Sequence, residues 1–278
     1  MPKIWLILAI VLIVFGLITF AVIMTIYGWD FGKLNSAKRV TNTHNITDIF
    51  HSICIDTETA NIRIVPSVDG HCSVVCNEFD KLTHTVTVEN GTLSVRLKDE
   101  RAWYEHIGIN FRSIAITISL PQDVYEALSI KLTTGDVSIT DLQCKSLTTN
   151  GTTGDITLKN ITVSENLSIK HTTGDVTITD LQCKTLTADG STGDITLKNV
   201  IASEKLLIGC TTGDVRFDRC DAGEIFVDVT TGDIRGSLLS EKIFIAKTST
   251  GDIRLPDSST GGTCRVTTTT GDIHLEIK

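Results

Sequence analysis

The tripeptide Thr-Gly-Asp occurs eight times in this chain, with glycines at Gly135, Gly154, Gly174, Gly193, Gly213, Gly232, Gly251 and Gly271, spaced 19, 20, 19, 20, 19, 19 and 20 residues apart. A fixed period of this size is the signature of a stacked coil, in which each repeat buries its apolar face only against its neighbours. Counting outward from each glycine exposes the sides of that coil. Leu128/Ile130, Leu167/Ile169 and Leu206/Ile208 precede the corner; Val137/Ile139, Ile156/Leu158 and Val176/Ile178 follow it; Leu142/Cys144, Ile161/Val163 and Leu181/Cys183 come later still. Within each pair the spacing is two, as strands require, and between pairs the phase slips by an odd number, so the chain turns a corner there. One corner is Thr-Gly-Asp, the second is Asp141, Asn160, Asp180 or Asn199, and the third carries the length variation, Lys145-Ser146 in one coil against Ser164-Glu165-Asn166 in the next.

These features predict an all-β fold: a parallel, right-handed β-helix (β-solenoid) of 19 to 20 residues per coil, with a flatter two-sided solenoid as the alternative. At about 4.8 Å per coil, eight coils extend roughly 40 Å. The repeat is expected over 126–278. A β region is expected over 49–125, where Val86/Val88 and Leu93/Val95/Leu97 alternate about Asn90-Gly91 as a hairpin, and Ile114 to Leu120 forms a strand that stops at Pro121.

The N-terminus is of another kind. From Ile4 to Trp29 there is no charged side chain, a run longer than the ~20 residues that cross a bilayer. Residues 4–29 are therefore expected to be a transmembrane helix after a short tail, 1–3, and before a polar linker, 30–48; a cleaved signal peptide would have a shorter apolar core. Lys33, Lys38 and Arg39 beyond the helix favour a cytoplasmic C-terminal side. Long domains translocate regardless of such charge, and the apolar segment stands at the extreme N-terminus, so the β domain is expected outside the cell membrane.

The net charge of −8 excludes a nucleic-acid partner of the usual basic kind. No phosphate loop, His-Glu-x-x-His or nucleophile elbow is present, and the near-uniform repeats mark no catalytic position. The expectation is a non-enzyme with no cofactor and no metal, a glycan-active β-helix enzyme being the alternative. The aspartate column beginning Asp136, Asp155, Asp175 invites a calcium reading, but single stacked carboxylates supply few of the 6 to 8 oxygens that calcium takes. Corner geometry explains Thr-Gly-Asp without a ligand.

Other columns are read likewise. Cys144 and Cys183 should stand two coils apart, about 9.6 Å, too far for a disulfide. Cys72 and Cys76, four apart on one strand face, are also out of reach unless the strand folds back. His171 should fill the space between Gly151 and Gly190. The outward residue three after each glycine changes from Ser or Thr to Arg216, Arg235 and Arg254, with His274 last. Neutralisation of the acidic ladder is the first reading of these arginines, and a partner-binding stripe the second. Trp103 and Tyr104, in the irregular stretch Asp99 to Arg112, are read as a cover over the end of the stack or, more sharply, as a recognition loop. The final coil, Ile273 to Lys278, is expected to leave an open edge on which copies could stack into a filament.

The apolar helix followed by Gly28-Trp29-Asp30-Phe31, the strand ending Ser119-Leu120-Pro121 and the repeated Thr-Thr-Gly-Asp-Ile/Val resemble the bacterial β-strand-repeat "putative adhesin" family, a domain of unknown function related to LiaX-type envelope proteins. The resemblance covers nearly all the chain after the helix and carries no catalytic residues. It implies an envelope-associated binding or stress-sensing scaffold, with an envelope protein, peptide or glycan as partner and the membrane engaged through residues 4–29.

Overall fold

The computed structural model describes residues 2–26, 28–29, 38–101 and 114–278; Trp103 and Tyr104 lie outside the described residues. Among the described residues one helix, α1 (Pro2–Ile26), is followed by strands. Its segment Trp5–Ile26 is long and apolar enough to cross a membrane.

The strands form one 18-stranded sheet coiled into a β-solenoid. The regular coils are β9 (Val137–Asn150), β10 (Ile156–Thr173), β11 (Val176–Thr192), β12 (Ile195–Thr212) and β13 (Val215–Thr231), each running parallel to the next. Each coil sends its aliphatic residues inward: Ile156, Leu158, Ile161, Val163, Leu167 and Ile169 are all at most 1% exposed. Val163 lies between Cys144 and Cys183, which therefore stand two coils apart. The register slips between Val163 and the Asn166–Leu167 segment, so the extra residue of the long coils is absorbed at the third corner while the inward columns stay aligned.

At the second corner Asp141, Asn160, Asp180 and Asn199 adopt φ of 51 to 57°, the left-handed region that Asn and Asp tolerate best. At the first, the repeat glycines adopt φ of 127 to 149°. A Cβ on Gly154 would stand 2.2 Å from the Gly135 carbonyl oxygen, so glycine is demanded by the close stacking of corners as well as by φ.

Both ends depart from chain order. At the N-terminal end β2 (Ser52–Asp56) and β3 (Asn61–Pro66) form a coil slotted between two later ones: β2 lies between β6 (Thr92–Asp99) and β8 (Val124–Lys131), and β3 between β7 (Ala115–Leu120) and β9. In that coil Thr59-Ala60-Asn61 occupies the Thr-Gly-Asp place. Thr59 bridges Thr134, and the Asp136 amide donates to Asn61 Oδ1 at 3.1 Å. Beyond it, β1 (Arg39–Ile46) runs antiparallel to β4 (Cys72–Phe79), and β5 (Leu82–Glu89) makes the expected hairpin with β6 about Asn90-Gly91.

At the other end the expectation of an open final coil is corrected. β17 (Gly262–Thr270) lies between β13 and β15 (Lys242–Thr250), and β18 (Ile273–Ile277) pairs with β14 (Ile234–Leu238) on one side. Its Ile273 and His274 pair with β16 (Ile253–Arg254) on the other side. The chain skips one level at β15 and then returns to fill it. The outermost coil is thus β15–β16, where Ile243, Ile245 and Ile253 are about half exposed. Lys242, 3% exposed, braces the exchange by reaching Asp221 Oδ1 on β13 at 2.6 Å.

Candidate functional site

The first-corner aspartates form a continuous ladder. Each Oδ1 accepts the amide N–H of the aspartate in the next coil: Asp155 to Asp136 at 2.9 Å, Asp194 to Asp175 at 2.8 Å, Asp214 to Asp194 at 2.9 Å and Asp272 to Asp233 at 2.7 Å. In space the ladder ends Asp233, Asp272, Asp252, because the last two coils are exchanged. One oxygen of each inner carboxylate is engaged with backbone, leaving Oδ2 toward solvent. A parallel ladder runs along the second corner, where Asn199 Nδ2 donates to Asp180 Oδ1 at 2.8 Å and Asn160 donates to Asp141.

On this frame the sequence-predicted arginines behave differently from one another. Arg216 bridges Asp194 Oδ2 at 2.5 Å and Asp214 Oδ2 at 2.7 Å. The Asp194 carboxyl is held below its ordinary pKa first by the Asp214 N–H and then by Arg216, and Arg216 is raised in turn, chiefly by the bond to Asp194. Arg235 reaches Asp233 at 2.6 Å and Asp272 at 3.4 Å. The neutralising role holds for these two. Arg254, on the outermost coil, forms no ion pair among the described residues. His274 lies between Arg235 and Arg254 in register. Arg235, Arg254, His274, Asp252 and Asp272 therefore line one shallow depression at the open end of the stack.

The other singled-out side chains are structural. His171 is buried and bonds the Thr173 carbonyl through Nε2 at 2.6 Å, while its Nδ1 lies 2.9 Å from where a Cβ on Gly151 would stand. Gly151 and Gly174 thus make room for the ring, whose Nε2 lies 2.8 Å from where a Cβ on Gly174 would stand; Gly190, expected to do so, faces His171 in register but a Cβ there would meet no atom of the ring. All eight cysteines are free thiols, and seven are buried. Burial pushes Cys144, Cys183 and Cys264 up to about 12.

Sequence reasoning passed over one cluster. Inside the N-terminal end, the fully buried Glu78 accepts from the His84 amide at 2.8 Å, from or toward His84 Nδ1 at 2.8 Å and from Asn42 Nδ2 at 2.6 Å. His84 Nε2 in turn meets Thr57 Oγ1 at 2.9 Å. This hydroxyl–imidazole–carboxylate line has the connectivity of a nucleophile with its base, but Thr57 and His84 are each 4% exposed, so no substrate reaches it. The signal was the charge of Glu78 and the position of His84 on strand faces otherwise made of Val, Leu and Cys; the two are united only when β4 folds back onto β5.

Comparison with known proteins agrees with the geometry. Solved structures of similar form include a "putative adhesin" from Bacteroides fragilis NCTC 9343 (20% identity, 86% of this chain and 97% of that one, TM-score 0.46). Another is a "putative lipid binding protein" from Parabacteroides distasonis ATCC 8503 (17% identity, 85% and 96%, TM-score 0.54), which shows the shared fold. No curated protein matches the chain. The profile of the Toastrack DUF4097 family matches residues 50–203 and 164–278, which together take in the first-corner ladder and both exchanged ends. The chain therefore belongs to the Toastrack family, a β-solenoid domain of unknown function.

Proposed function

We propose that this protein is a non-enzymatic, membrane-anchored β-solenoid. Its apolar N-terminal segment, residues 4–29, which takes in the span Trp5–Ile26 of α1, holds the domain at the outer side of the cell membrane, and the face of its late coils binds an envelope protein, peptide or glycan. The observation that carries this reading is Arg254: a guanidinium without an ion pair among the described residues, beside His274 and Asp252 in a depression at the open end. Arg216 and Arg235 extend the charged stripe down the stack. Trp103 and Tyr104, from the stretch of sequence between β6 and β7, join the proposal as aromatic contacts. The free thiols are consistent with export, because buried thiols with raised pKa supply little of the thiolate that oxidation requires.

The test is co-sedimentation of the detergent-solubilised full chain with isolated cell-envelope fragments, for wild type and for Arg216→Gln/Arg235→Gln/Arg254→Gln. We expect binding by wild type and at least a tenfold loss in the triple variant. Equal binding by both, or none by wild type, would refute the reading.

A further inference from the structure

The buried cluster at the N-terminal end holds a donor set of metal-ligand type. Cys76 Sγ, a Glu78 carboxylate oxygen and a His84 ring nitrogen lie within 4.8 Å of one another, and all three residues are buried. Cys76 and Glu78 share the inward face of β4, while His84 comes from β5 after the chain reverses. Around a tetrahedral zinc with bonds of 2.0 to 2.3 Å, ligand atoms stand about 3.3 to 3.8 Å apart. Opening the His84 Nδ1–Glu78 Oε2 pair from its present 2.8 Å by about 0.5 Å, and closing the wider separations by up to about 1 Å, would bring the three atoms onto one ion.

A second observation comes from β1. His44 Nε2 is buried and has no hydrogen-bond partner. In the β1–β4 register Asn42 faces Cys76 and His44 faces Val74, so His44 is the diagonal neighbour of Cys76. Asn42 already bonds Glu78 from that face of β1, and diagonal neighbours across an antiparallel pair are within reach of long side chains.

We propose that Cys76, Glu78 and His84 bind a zinc-type divalent cation, with His44 as the fourth ligand. Thiolate, carboxylate and neutral imidazole together carry two negative charges, which a divalent cation balances inside an apolar end of the stack. Sulfur and nitrogen donors select zinc over calcium or magnesium, which prefer all-oxygen sites. Thr57, bonded to His84 Nε2, would orient the ring or yield that nitrogen to the ion. The ion would tie β1, the first described strand after the N-terminal helix, to the body of the solenoid.

The experiment uses the full chain in detergent. Elemental analysis after dialysis without chelator should find about one zinc per chain. After chelation, cobalt(II) should give a thiolate-to-cobalt charge-transfer band in the near ultraviolet together with tetrahedral visible bands. Cys76→Ser should lose the charge-transfer band, and His44→Gln should weaken cobalt binding at least tenfold while retaining it. Each variant is checked by far-ultraviolet circular dichroism, and Glu78→Gln serves as the second ligand variant should Cys76→Ser misfold. Metal content below one-tenth of stoichiometric with no cobalt spectrum overturns the proposal, leaving a metal-free hydrogen-bonded cluster. A cobalt spectrum unchanged in Cys76→Ser also overturns it by placing the metal on other cysteines.

Discussion

Gly193→Ala tests the physical account of the repeat most directly. Gly193 has φ +131°, and a Cβ there would lie 2.0 Å from the Gly174 carbonyl oxygen, 1.0 Å inside the 3.0 Å that real Cβ atoms keep. Relief requires the two corners to separate by about that amount. Two bonds span the gap: the Gly174 amide to the Thr192 carbonyl at 2.9 Å and the Asp194 amide to Asp175 Oδ1 at 2.8 Å. Losing both costs about 2 to 3 kcal/mol, the second bond counting more because its acceptor is charged. The left-handed backbone adds about 1 to 2 kcal/mol for a residue with a Cβ. The expected destabilisation is therefore about 3 to 5 kcal/mol.

Gly190→Ala is the matched control, three residues away, where the nearest atom to a new Cβ is Ile195 Cδ1 at 3.9 Å and φ lies outside the positive range. It should be neutral or stabilise by up to about 1 kcal/mol. Denaturant unfolding of the full chain, followed by far-ultraviolet circular dichroism, reads the global effect. Peptide-level hydrogen exchange over 174–214 reads the local one, since stacked coils can open separately. Equal midpoints and equal exchange for the two variants would refute the claim that corner stacking, and not the shape of a single turn, demands glycine.

Asp194→Ala should cost about 1 to 2 kcal/mol because it uncaps the Asp214 amide, whereas Asp252→Ala on the outermost coil, whose carboxylate caps no further coil, should cost below about 0.5 kcal/mol in the same unfolding assay. The Asp194 carboxyl is depressed in the folded state, so its stabilisation is present above the unfolded pKa of about 3.9 and disappears as pH falls through the lower folded value. Unfolding midpoints measured from pH 6 to pH 2, values chosen to bracket that range, should fall below about pH 4, and less steeply in Asp194→Asn. Lys242→Met removes the cation from Asp221, which keeps only its bonds from Ser240 and Ala222, and should destabilise the exchanged end by about 1 to 3 kcal/mol, seen as faster hydrogen exchange in β15 and β17. Cys54 is the one cysteine not buried, so brief native labelling with a membrane-impermeant maleimide should modify Cys54 first, and labelling in intact cells places the domain outside the membrane. Protection of Cys54 in intact cells, with labelling after lysis, would reverse that orientation.

Much of this architecture was legible from spacing alone. The period of 19 to 20 residues set the coil perimeter, the period-two pairs set which residues point inward, and the odd phase slips located the corners. The extra residue at Ser164–Asn166 falls where the register slips. These are local constraints, because a residue's face on a strand is decided by its position along that strand.

The order of the coils was not legible, and the reason is physical. Glycine spacings report how far the chain travels around one coil, and they are the same whether the next coil settles one level or two levels up. The steps Gly232 to Gly251 to Gly271 keep the period while their coils exchange places. Thr59-Ala60-Asn61 escaped the motif count because alanine and asparagine replace glycine and aspartate near an end of the stack, although Asn61 still continues the ladder.

The candidate sites divide in the same way. Alternation along the strands placed Arg216, Arg235 and Arg254 outward on one column from the sequence alone. Which of them is neutralised and which stands at the open end depended on which coil is last, and only the tertiary structure decided that. Cys76, Glu78 and His84 come together, with His44 diagonal to Cys76 across the strand pair, only where β4 reverses onto β1 and β5, because antiparallel pairing sets residues far apart in the chain face to face.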